Sequence, residues 1–445
     1  MRWLVHAALI LGTLRGAAAN GRPPMTNGVF FEPGDPHSMF IRTSFGLLIS
    51  RDDGCSFRWV CEKAIGYGGE FDPKYKVATD GTIFATTFEG LRVSRDGGCT
   101  WATATAELAP GAPGNIASIW IDALDIGPTG EVWVATAESA RSNDVFSSLD
   151  NGVTFQSRGQ SSPTIWWKSV KVAPSDSQRV YVTGYQVAGA LPGGSQASPA
   201  AHLKRSDNGG GAWTELELHS PPMMFGATPI VLVAAVDPNE PDTLLLTSLG
   251  GNGKGDRLYR SIDAGASFDE VLATTDTIRD VLFASDGTVY VAALTGSFKS
   301  VDNGATFAPL GDSPQLQCIG QRGNDPLVAC GANWEPDFKA VASSPNGATW
   351  SKVFRFVELA GPLACAPGTT NQTMCEPNWP ALQQQFGATG PTCGVAPDQS
   401  APAPAKAAGC CDAGDGAPLG ALAVIGWLVV LRRRPHPAAA TRQLG

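Results

Sequence analysis

The chain has little charge, few histidines and none of the short motifs that mark the common enzyme classes. Charged residues make up 16% of its 445 residues, and only five residues are histidine. No GxSxG nucleophile elbow, HExxH helix or phosphate-binding glycine loop is present, and no CxxC pair offers thiolates at metal-binding spacing. We therefore expect no metal ion and no cofactor. The formal net charge of −9 argues against nucleic acid and anionic membrane surfaces as partners, because like charges repel.

The residues that are abundant favour strands joined by turns. The hydrophobic fraction of 43% suits a packed globular protein. The 52 glycines and 33 prolines indicate many turns. The length exceeds that of a usual single domain, so the chain is expected to form one large repetitive domain or two to three ordinary ones.

The first 19 residues have the pattern of a secretory signal peptide. Arg2 precedes an apolar stretch from Trp3 to Leu14, and three alanines end at Ala19. The stretch is too short for a membrane-spanning helix, which needs about 20 apolar residues. We predict cleavage after Ala19 and export of the remaining chain.

Export permits disulfide bonds, and eight cysteines lie in the body of the chain. Three short separations favour local bridges, and the last two cysteines pair by elimination, although connectivity does not follow from sequence alone. The expected bridges are Cys55–Cys61, Cys318–Cys330, Cys365–Cys375 and Cys99–Cys393. No free thiol is expected in residues 20–393.

A short pattern recurs seven times in the middle of the chain: serine, any residue, an acid or amide, any residue, glycine, two residues and an aromatic. Its glycines follow one another at intervals of 39 to 58 residues, and periods of 40 to 50 residues are typical of four-stranded propeller blades. The copies are SRDDGCSF (50–57), SRDGGCTW (94–101), SLDNGVTF (148–155), SDNGGGAW (206–213), SIDAGASF (261–268), SVDNGATF (300–307) and SSPNGATW (343–350).

Each copy has the chemistry of a hairpin turn. An acid or amide accepts hydrogen bonds from turn N–H groups, glycine takes the left-handed conformation, and the aromatic ring is buried beneath the turn. The residues at the acid position are Asp52, Asp96, Asp150, Asn208, Asp263, Asp302 and Pro345. Because proline cannot accept such bonds, we expect the seventh turn to be the least regular.

Apolar runs before each turn complete the unit. Segments such as 82–87, 131–136 and 288–292 are typical of buried strands. The repeating order is strand, turn, strand, loop, strand, repeated turn, strand. The sequence thus predicts an all-β fold, a seven-bladed β-propeller of four-stranded antiparallel blades, over residues 20–358.

The seven turns resemble the Asp boxes, or BNR repeats, of sialidases, sortilin-type receptors, xyloglucan-degrading hydrolases and photosystem assembly factors. The resemblance covers about three-quarters of the chain. It implies a propeller in which the Asp-box residues are structural and not catalytic, so it leaves the activity open.

A catalytic site is harder to find. The sialidase pattern requires an N-terminal Arg-Ile-Pro motif, whereas the nearest stretch, Phe40 to Thr43, has no proline. Other glycosidases need two carboxylates facing each other across a cleft. Asp122, Asp125 and Asp280 are candidates, but we expect them to be solvent-exposed acids at loop or strand ends.

Tryptophans offer a binding alternative. Trp166 and Trp167 precede the first strand of the fourth blade, and Trp334 lies in a loop of the seventh. Exposed rings near acids stack on a sugar or a peptide, whereas rings packed between blades serve the core. In a propeller the central channel is the default ligand site.

The composition changes after the seventh blade. Residues 359–393 are predicted to be a small disulfide-stapled appendage in which residues 379–386 form a short helix, and residues 394–408 a Pro/Ala linker. Gly409 and Cys410 open a segment, 409–434, that holds an apolar run (417–431) and three arginines; residues 435–445 are a tail. This order resembles the MYXO-CTERM sorting signal, which implies a sorting protease acting near Gly409 and Cys410, then surface display.

These observations favour an exported, monomeric, non-catalytic propeller held at the cell surface or outer membrane, or released from it. Its partners are expected to be an extracellular glycan or protein, the sorting protease, and the membrane through the C-terminal segment or a replacement anchor. The alternative is a secreted glycan-active hydrolase, sialidase-like or xyloglucanase-like, with its site in the central cleft.

Overall fold

Short strands alternate with tight turns along the chain. The computed structural model describes residues 23–393, apart from residues 70, 187–188, 191–195, 219–229, 251–253 and 312. Within these residues, seven four-stranded antiparallel sheets follow one another, and each is built from a contiguous stretch of chain. The predicted all-β, seven-bladed propeller is confirmed.

The strand bounds follow, blade by blade. Blade 1 comprises β1 (Thr26–Phe31), β2 (Met39–Thr43), β3 (Gly46–Ser50) and β4 (Arg58–Cys61), and blade 2 comprises β5 (Tyr75–Val77), β6 (Ile83–Thr87), β7 (Gly90–Ser94) and β8 (Ala102–Thr103). Blade 3 comprises β9 (Ile121–Ile126), β10 (Val132–Thr136), β11 (Val145–Ser148) and β12 (Gln156–Ser157). Blade 4 comprises β13 (Ile165–Ala173), β14 (Asp176–Gln186), β17 (Ala200–Ser206) and β18 (Thr214–Leu216), with an extra hairpin of β15 (Gly189–Ala190) and β16 (Gln196–Ala197).

The remaining elements complete the ring. Blade 5 comprises β19 (Val231–Val236), β20 (Leu244–Ser248), β21 (Arg257–Ser261) and β22 (Asp269–Ala273), and blade 6 comprises β23 (Ile278–Phe283), β24 (Val289–Ala293), β25 (Phe298–Ser300) and β26 (Ala308–Pro309). Blade 7 comprises β27 (Cys318–Gly320), β28 (Leu327–Cys330), β29 (Val341–Ser344) and β30 (Ser351–Phe354). The helices are α1 (Glu62–Ile65), α2 (Thr370–Cys375), α3 (Trp379–Phe386) and the 3-10 turns Phe356–Glu358 and Glu376–Asn378.

The first strand of each blade lies on the inside of the ring. Each of these seven strands contacts the first strand of the next blade, and β1 contacts β27, so the ring closes between blades 1 and 7. The second strands are buried along their whole length in blades 2, 3, 5 and 6. Apolar side chains between neighbouring blades therefore form the core.

The repeated turns join the third and fourth strands of each blade. In blade 1 the Ser50 hydroxyl accepts from the Gly54 N–H at 2.9 Å and donates to Asp52 at 2.7 Å. Asp52 accepts from the backbone N–H and the hydroxyl of Ser56 at 2.8 and 2.6 Å. Gly54 has φ of 81°, the left-handed conformation that glycine adopts without strain.

The two irregular copies behave differently from each other. In blade 4 Asn208 replaces the acid and still accepts from the Ala212 N–H at 2.7 Å. In blade 7 the Gly347 N–H donates to Ser344, three residues back rather than four, and Asn346 accepts from Ala348. The seventh turn is thus one residue tighter, and Ser344 rather than Ser343 is its first residue. Its predicted irregularity is confirmed.

Each turn glycine also packs against the preceding blade. A Cβ added to Gly152 of blade 3 would lie 2.5 Å from the Phe84 ring of blade 2, and one added to Gly210 of blade 4 would lie 2.7 Å from the Trp133 ring of blade 3. Such distances are too short for van der Waals contact. Glycine is therefore required here for close packing between blades as well as for the turn.

The chain after blade 7 returns to the outer edge of blade 1. Trp59 of β4 donates to the Gly361 carbonyl and accepts from Leu363, both at 2.9 Å, so residues 361–363 run parallel to β4. Phe356 and Leu382 belong to the same buried cluster as blade 1. The predicted short helix, 379–386, is present as α3. The appendage thus shares the core of the propeller.

Three of the four predicted disulfide pairings are wrong. The structure forms Cys55–Cys393, Cys61–Cys375 and Cys99–Cys365, and only Cys318–Cys330 is as predicted. Cys55 and Cys61 lie on opposite sides of the extended stretch that ends in β4, and a strand rises about 3.3 Å per residue. They are therefore too far apart for a bond, which needs Cα atoms within about 7 Å. Cys365 and Cys375 face blades 2 and 1 and bond there.

The predicted signal peptide (1–19), linker (394–408), sorting segment (409–434) and tail (435–445) lie outside the described residues. Within residues 23–393, as far as they are described, no helix is long and apolar enough to cross a membrane.

Candidate ligand groove and central channel

Charged side chains from the inner strands face the central channel. The blade 3 strand β9 carries Asp122 and Asp125, and both are 5% exposed. Asp122 forms ion pairs with Lys168 of blade 4 and, at 3.5 Å, with Lys74 of blade 2. The ammonium group of Lys74 also donates to the Asp122 carbonyl at 2.5 Å. Asp122 therefore connects three neighbouring blades.

Asp125 is engaged in the same way. It pairs with Lys76 at 2.6 Å and accepts from the Val172 N–H of blade 4 at 2.9 Å. Burial opposes its charged form, but the positive charges of Lys76 and Lys171 and these hydrogen bonds hold its pKa below the ordinary value. The carboxylate is thus ionised and satisfied.

Asp280 on β23 is the third candidate carboxylate. It accepts from the N–H groups of Val281 at 3.0 Å and Ile319 at 3.1 Å, so it joins blade 6 to blade 7. Burial raises its pKa. The expectation that these three acids are solvent-exposed is wrong for Asp122 and Asp125. Their side chains are buried along the inner strand β9, where they link neighbouring blades.

A cavity of about 200 Å³ opens into the channel where the inner strands begin. Lys74, Lys168, Lys171 and Arg279 line it, whereas Asp280 is the one carboxylate in its lining. Among the described residues, no ion pair or hydrogen bond engages the side chains of Lys171 and Arg279. Burial lowers the pKa of Lys171. The mouth of the channel is therefore locally cationic, although the chain as a whole is acidic.

Five aromatic side chains lie in a row beside this cavity: Phe71, Phe88, Trp120, Trp166 and Tyr185, which we call the aromatic strip. Phe71 and Phe88 have ring centroids 4.6 Å apart, Phe88 and Trp120 4.9 Å, and Trp120 and Trp166 5.8 Å. Tyr185 follows at 5.8 Å from Trp166. Phe88 is 48% exposed, and the other rings are partly exposed.

The fold explains why these rings meet. Trp120 directly precedes β9, and Trp166 pairs across strands with Tyr185 near the beginning of β13. Phe88 occupies the tight turn between β6 and β7, and Phe71 the connection from blade 1 to blade 2. All five positions lie at the end of the blades where the inner strands begin. Antiparallel pairing thus collects residues from three blades on one face.

The strip connects the cavity with a second groove. The ammonium of Lys168 lies 5.4 Å from the centre of the Trp120 ring, which joins the strip to the cavity. At its other end Phe88 also lines a groove bounded by Tyr67 and by Met374 and Pro377 of the appendage. A continuous surface therefore runs from the appendage to the channel mouth.

The structure separates the three tryptophans predicted from sequence. Trp166 belongs to the strip. Trp167 is fully buried between blades, and its indole N–H donates to the Gln160 carbonyl at 3.1 Å, so it is a core residue and not a binding residue. Trp334 is 48% exposed and its ring lies against Phe356, away from the strip.

Sequence reasoning missed Phe71, Phe88, Trp120 and Tyr185. Phe71, Phe88 and Trp120 lie in connections between strands, where no periodic pattern marks them. One signal was available: Trp120 and Trp166 stand at comparable positions, around the start of the inner strand in consecutive blades. Within the described part of the chain, no group of three or more His, Cys, Asp or Glu residues is arranged to hold a metal ion.

The geometry defines the class as a seven-bladed β-propeller. No family model and no curated protein matches the chain. An ancestral GH74 enzyme is similar in structure, with 16% identity and a TM-score of 0.48 over 68% of this chain and 43% of that one. YCF48 from Cyanidioschyzon merolae has 14% identity and a TM-score of 0.44 over 69% of this chain and 92% of that one. YCF48 bound to D1 peptide has 15% identity and a TM-score of 0.43 over 68% and 89%.

This chain therefore spans less than half the length of the GH74 enzyme. At these identities the likeness concerns the propeller fold alone, and it carries no argument about activity or ligand.

Proposed function

We propose that the protein is an exported, non-catalytic propeller that binds an extracellular ligand, a glycan or a protein, along the aromatic strip. The observation that carries this proposal is the strip itself. Soluble proteins rarely leave several large rings partly exposed in one row unless the surface meets a partner. Mutual ring contacts fix the five side chains in place, so little side-chain freedom is lost on binding.

The state of the channel carboxylates supports a binding role over hydrolysis. A glycosidase needs two carboxyl groups facing one cleft. Asp122 and Asp125 are held by lysines, and Asp280 is the one carboxylate in the cavity lining. A paired carboxylate is poorly suited to act as a nucleophile or base, because its partners stabilise it in the ground state. The hydrolase remains the alternative that an assay excludes or establishes.

A glycan and peptide array probed with the purified protein tests the proposal. We expect binding that Trp166→Ala and Phe88→Ala each weaken about tenfold, an effect of about 1.4 kcal/mol. Trp334→Ala is the matched control, because Trp334 is as exposed as Phe88 and lies outside the strip. Loss of binding in the Trp334 variant alone would move the site to blade 7. Hydrolysis of an array glycan by the protein would establish the enzyme instead.

The proposed address rests on the two chain ends and on the disulfides. Four disulfide bonds occur in the described residues, and such bonds persist in oxidising compartments outside the cytosol. We propose that residues 1–19 direct export and that a protease acts near Gly409 and Cys410. Mass spectrometry of the surface-exposed protein then recovers no peptide beyond Arg434, and Cys410→Ala accumulates an uncut precursor. A retained tail on the mature protein would contradict this processing.

A further inference from the structure

We propose that the ligand is an anionic glycan, whose carboxylate or sulfate groups bind at the channel mouth while its sugar rings stack on the aromatic strip. This inference rests on the proposed binding function and specifies the chemical class of the ligand.

The first support is the local excess of positive charge. The cavity lining holds four cationic side chains, Lys74, Lys168, Lys171 and Arg279, against the single carboxylate of Asp280. The chain as a whole carries a net charge of −9, so this cluster opposes the overall balance. Low-dielectric walls around a cleft concentrate the field of such a cluster. The overall negative charge, which argues against nucleic acid and anionic membrane surfaces, is therefore compatible with an anionic glycan at this one face.

The second support is that two of these cations lack a partner. Lys74 and Lys168 are paired with Asp122. In contrast, no described residue forms an ion pair or hydrogen bond with the Lys171 ammonium or the Arg279 guanidinium. Asp125 and Asp280 act on Lys171, and Asp256 on Arg279, without a direct contact, and Arg279 is exposed to solvent. Both cations are therefore available for a direct contact with an anionic group at the channel mouth, and a guanidinium binds carboxylate and sulfate with two parallel hydrogen bonds.

The third support is the continuity of charge and rings. Lys168 contacts the Trp120 ring and also lines the cavity, so a ligand reaching the cavity passes over the strip. The C–H face of a pyranose is apolar and flat, which suits a partly exposed ring. Aromatic grooves also bind proline-rich peptides, and arginine clusters bind acidic ones. The strip favours an extended glycan because its rings cross three blades and lead into the cationic cavity, and an acidic peptide is the alternative that the test below examines.

Binding of defined polymers to the full protein tests this inference. Polygalacturonate supplies carboxylates, chondroitin sulfate adds sulfate esters, dextran is the neutral glycan, and poly-glutamate is the anionic peptide. We expect an anionic glycan to bind, dextran at least tenfold more weakly, and affinity to fall as salt is raised. The first two polymers show which anionic group is preferred.

Variants then locate the charge. Arg279→Gln and Lys171→Gln should each weaken binding of the anionic glycan three- to tenfold, and the double variant more. Lys299→Gln removes the same charge on β25, outside the cavity, and should leave binding unchanged. Because Lys171 is partly buried, the exposed Arg279 keeps the test valid if the Lys171 variant unfolds.

The outcomes separate the two proposals. Equal binding of dextran, or no effect of Arg279→Gln and Lys171→Gln, overturns the anionic class while binding on the strip stands. Preference for poly-glutamate replaces the glycan by an acidic peptide. Absence of binding to every polymer and to the whole array overturns the binding function itself.

Discussion

The two sides of the ring are held together by different means. Blades 1 and 2 receive three disulfides from the appendage, a parallel segment along β4 and a shared apolar cluster. Blades 3 to 6 have no disulfide in the described residues, and hydrogen bonds such as Val172 N–H to Asp125 join their inner strands. Because every described blade is a contiguous segment, no strand exchange closes the ring within the described residues. The appendage, which follows blade 7, therefore closes the ring through its covalent disulfide bonds to blades 1 and 2.

The largest expected effect comes from removing that closure. Replacing the six cysteines of Cys55–Cys393, Cys61–Cys375 and Cys99–Cys365 by alanine should lower the free energy of unfolding far more than replacing Cys318 and Cys330. Chain entropy gives about 5 to 6 kcal/mol for one bridge across more than 260 residues and about 3 kcal/mol for the local one. Because the three bridges are nested, their contributions to the free energy of unfolding are less than additive. Thermal unfolding of both variants measures the loss of stability. An equal decrease in melting temperature would show that blades 1 and 7 stay together without the appendage disulfides.

A second test compares two turn aromatics. Trp101, beneath the turn that bears Cys99, is 3% exposed, and its indole donates to the Gly98 carbonyl at 3.1 Å. Trp101→Ala should cost about 3 to 5 kcal/mol because a large cavity remains. Phe307, at the same repeat position in blade 6, is only partly buried, so Phe307→Ala should cost roughly 1 to 2 kcal/mol. Urea unfolding measures both losses of stability. Equal losses would contradict tighter packing on the side of blades 1 and 2, which carry the appendage disulfides.

The smallest effect concerns the turn carboxylates. Although slight burial opposes it, hydrogen bonds from Thr154 and Ser148 lower the pKa of Asp150 to about 2. Because the pKa of Asp150 is lower in the folded than in the unfolded protein, the charged carboxylate stabilises the fold at pH values above the ordinary pKa near 4. This contribution is lost as pH falls from about 4 to 2. Asp150→Asn should therefore cost less than about 1 kcal/mol at pH 7. The difference from the parent should vanish near pH 2.

Asp96→Asn is the matched variant in blade 2, which an appendage disulfide holds. Its turn is also held by the Cys99–Cys365 bond, so it should lose less stability than Asp150→Asn at pH 7. A larger loss for Asp96 would mean that the disulfide does not support the turn. Urea unfolding between pH 7 and pH 3 compares the two.

Sequence determined the fold more completely than the site. The turns fix the blade count because their hydrogen bonds are local: Ser50, Asp52 and Gly54 lie within five residues. Disulfide pairing depends instead on where the chain end returns, and nothing local to Cys365 or Cys393 indicates blades 1 and 2. The strip was missed for the same reason, since Phe88 and Trp120 meet only after the blades form a ring.

The bond between Cys55 and Cys393 also changes how the molecule responds to mechanical force. A pull applied to the chain on both sides of this bond passes directly from residue 55 to residue 393, a sequence separation of 338. The fourth strand of blade 1 and the whole of blades 2 to 7 then lie inside a covalent ring and bear no tension. While the bond is intact, roughly 1,100 Å of contour length stays hidden from extension. Two further bonds, Cys61–Cys375 and Cys99–Cys365, are nested inside this one, so its reduction alone would free only 24 residues (338 − 314). A reductant must break all three bonds before most of this length can extend.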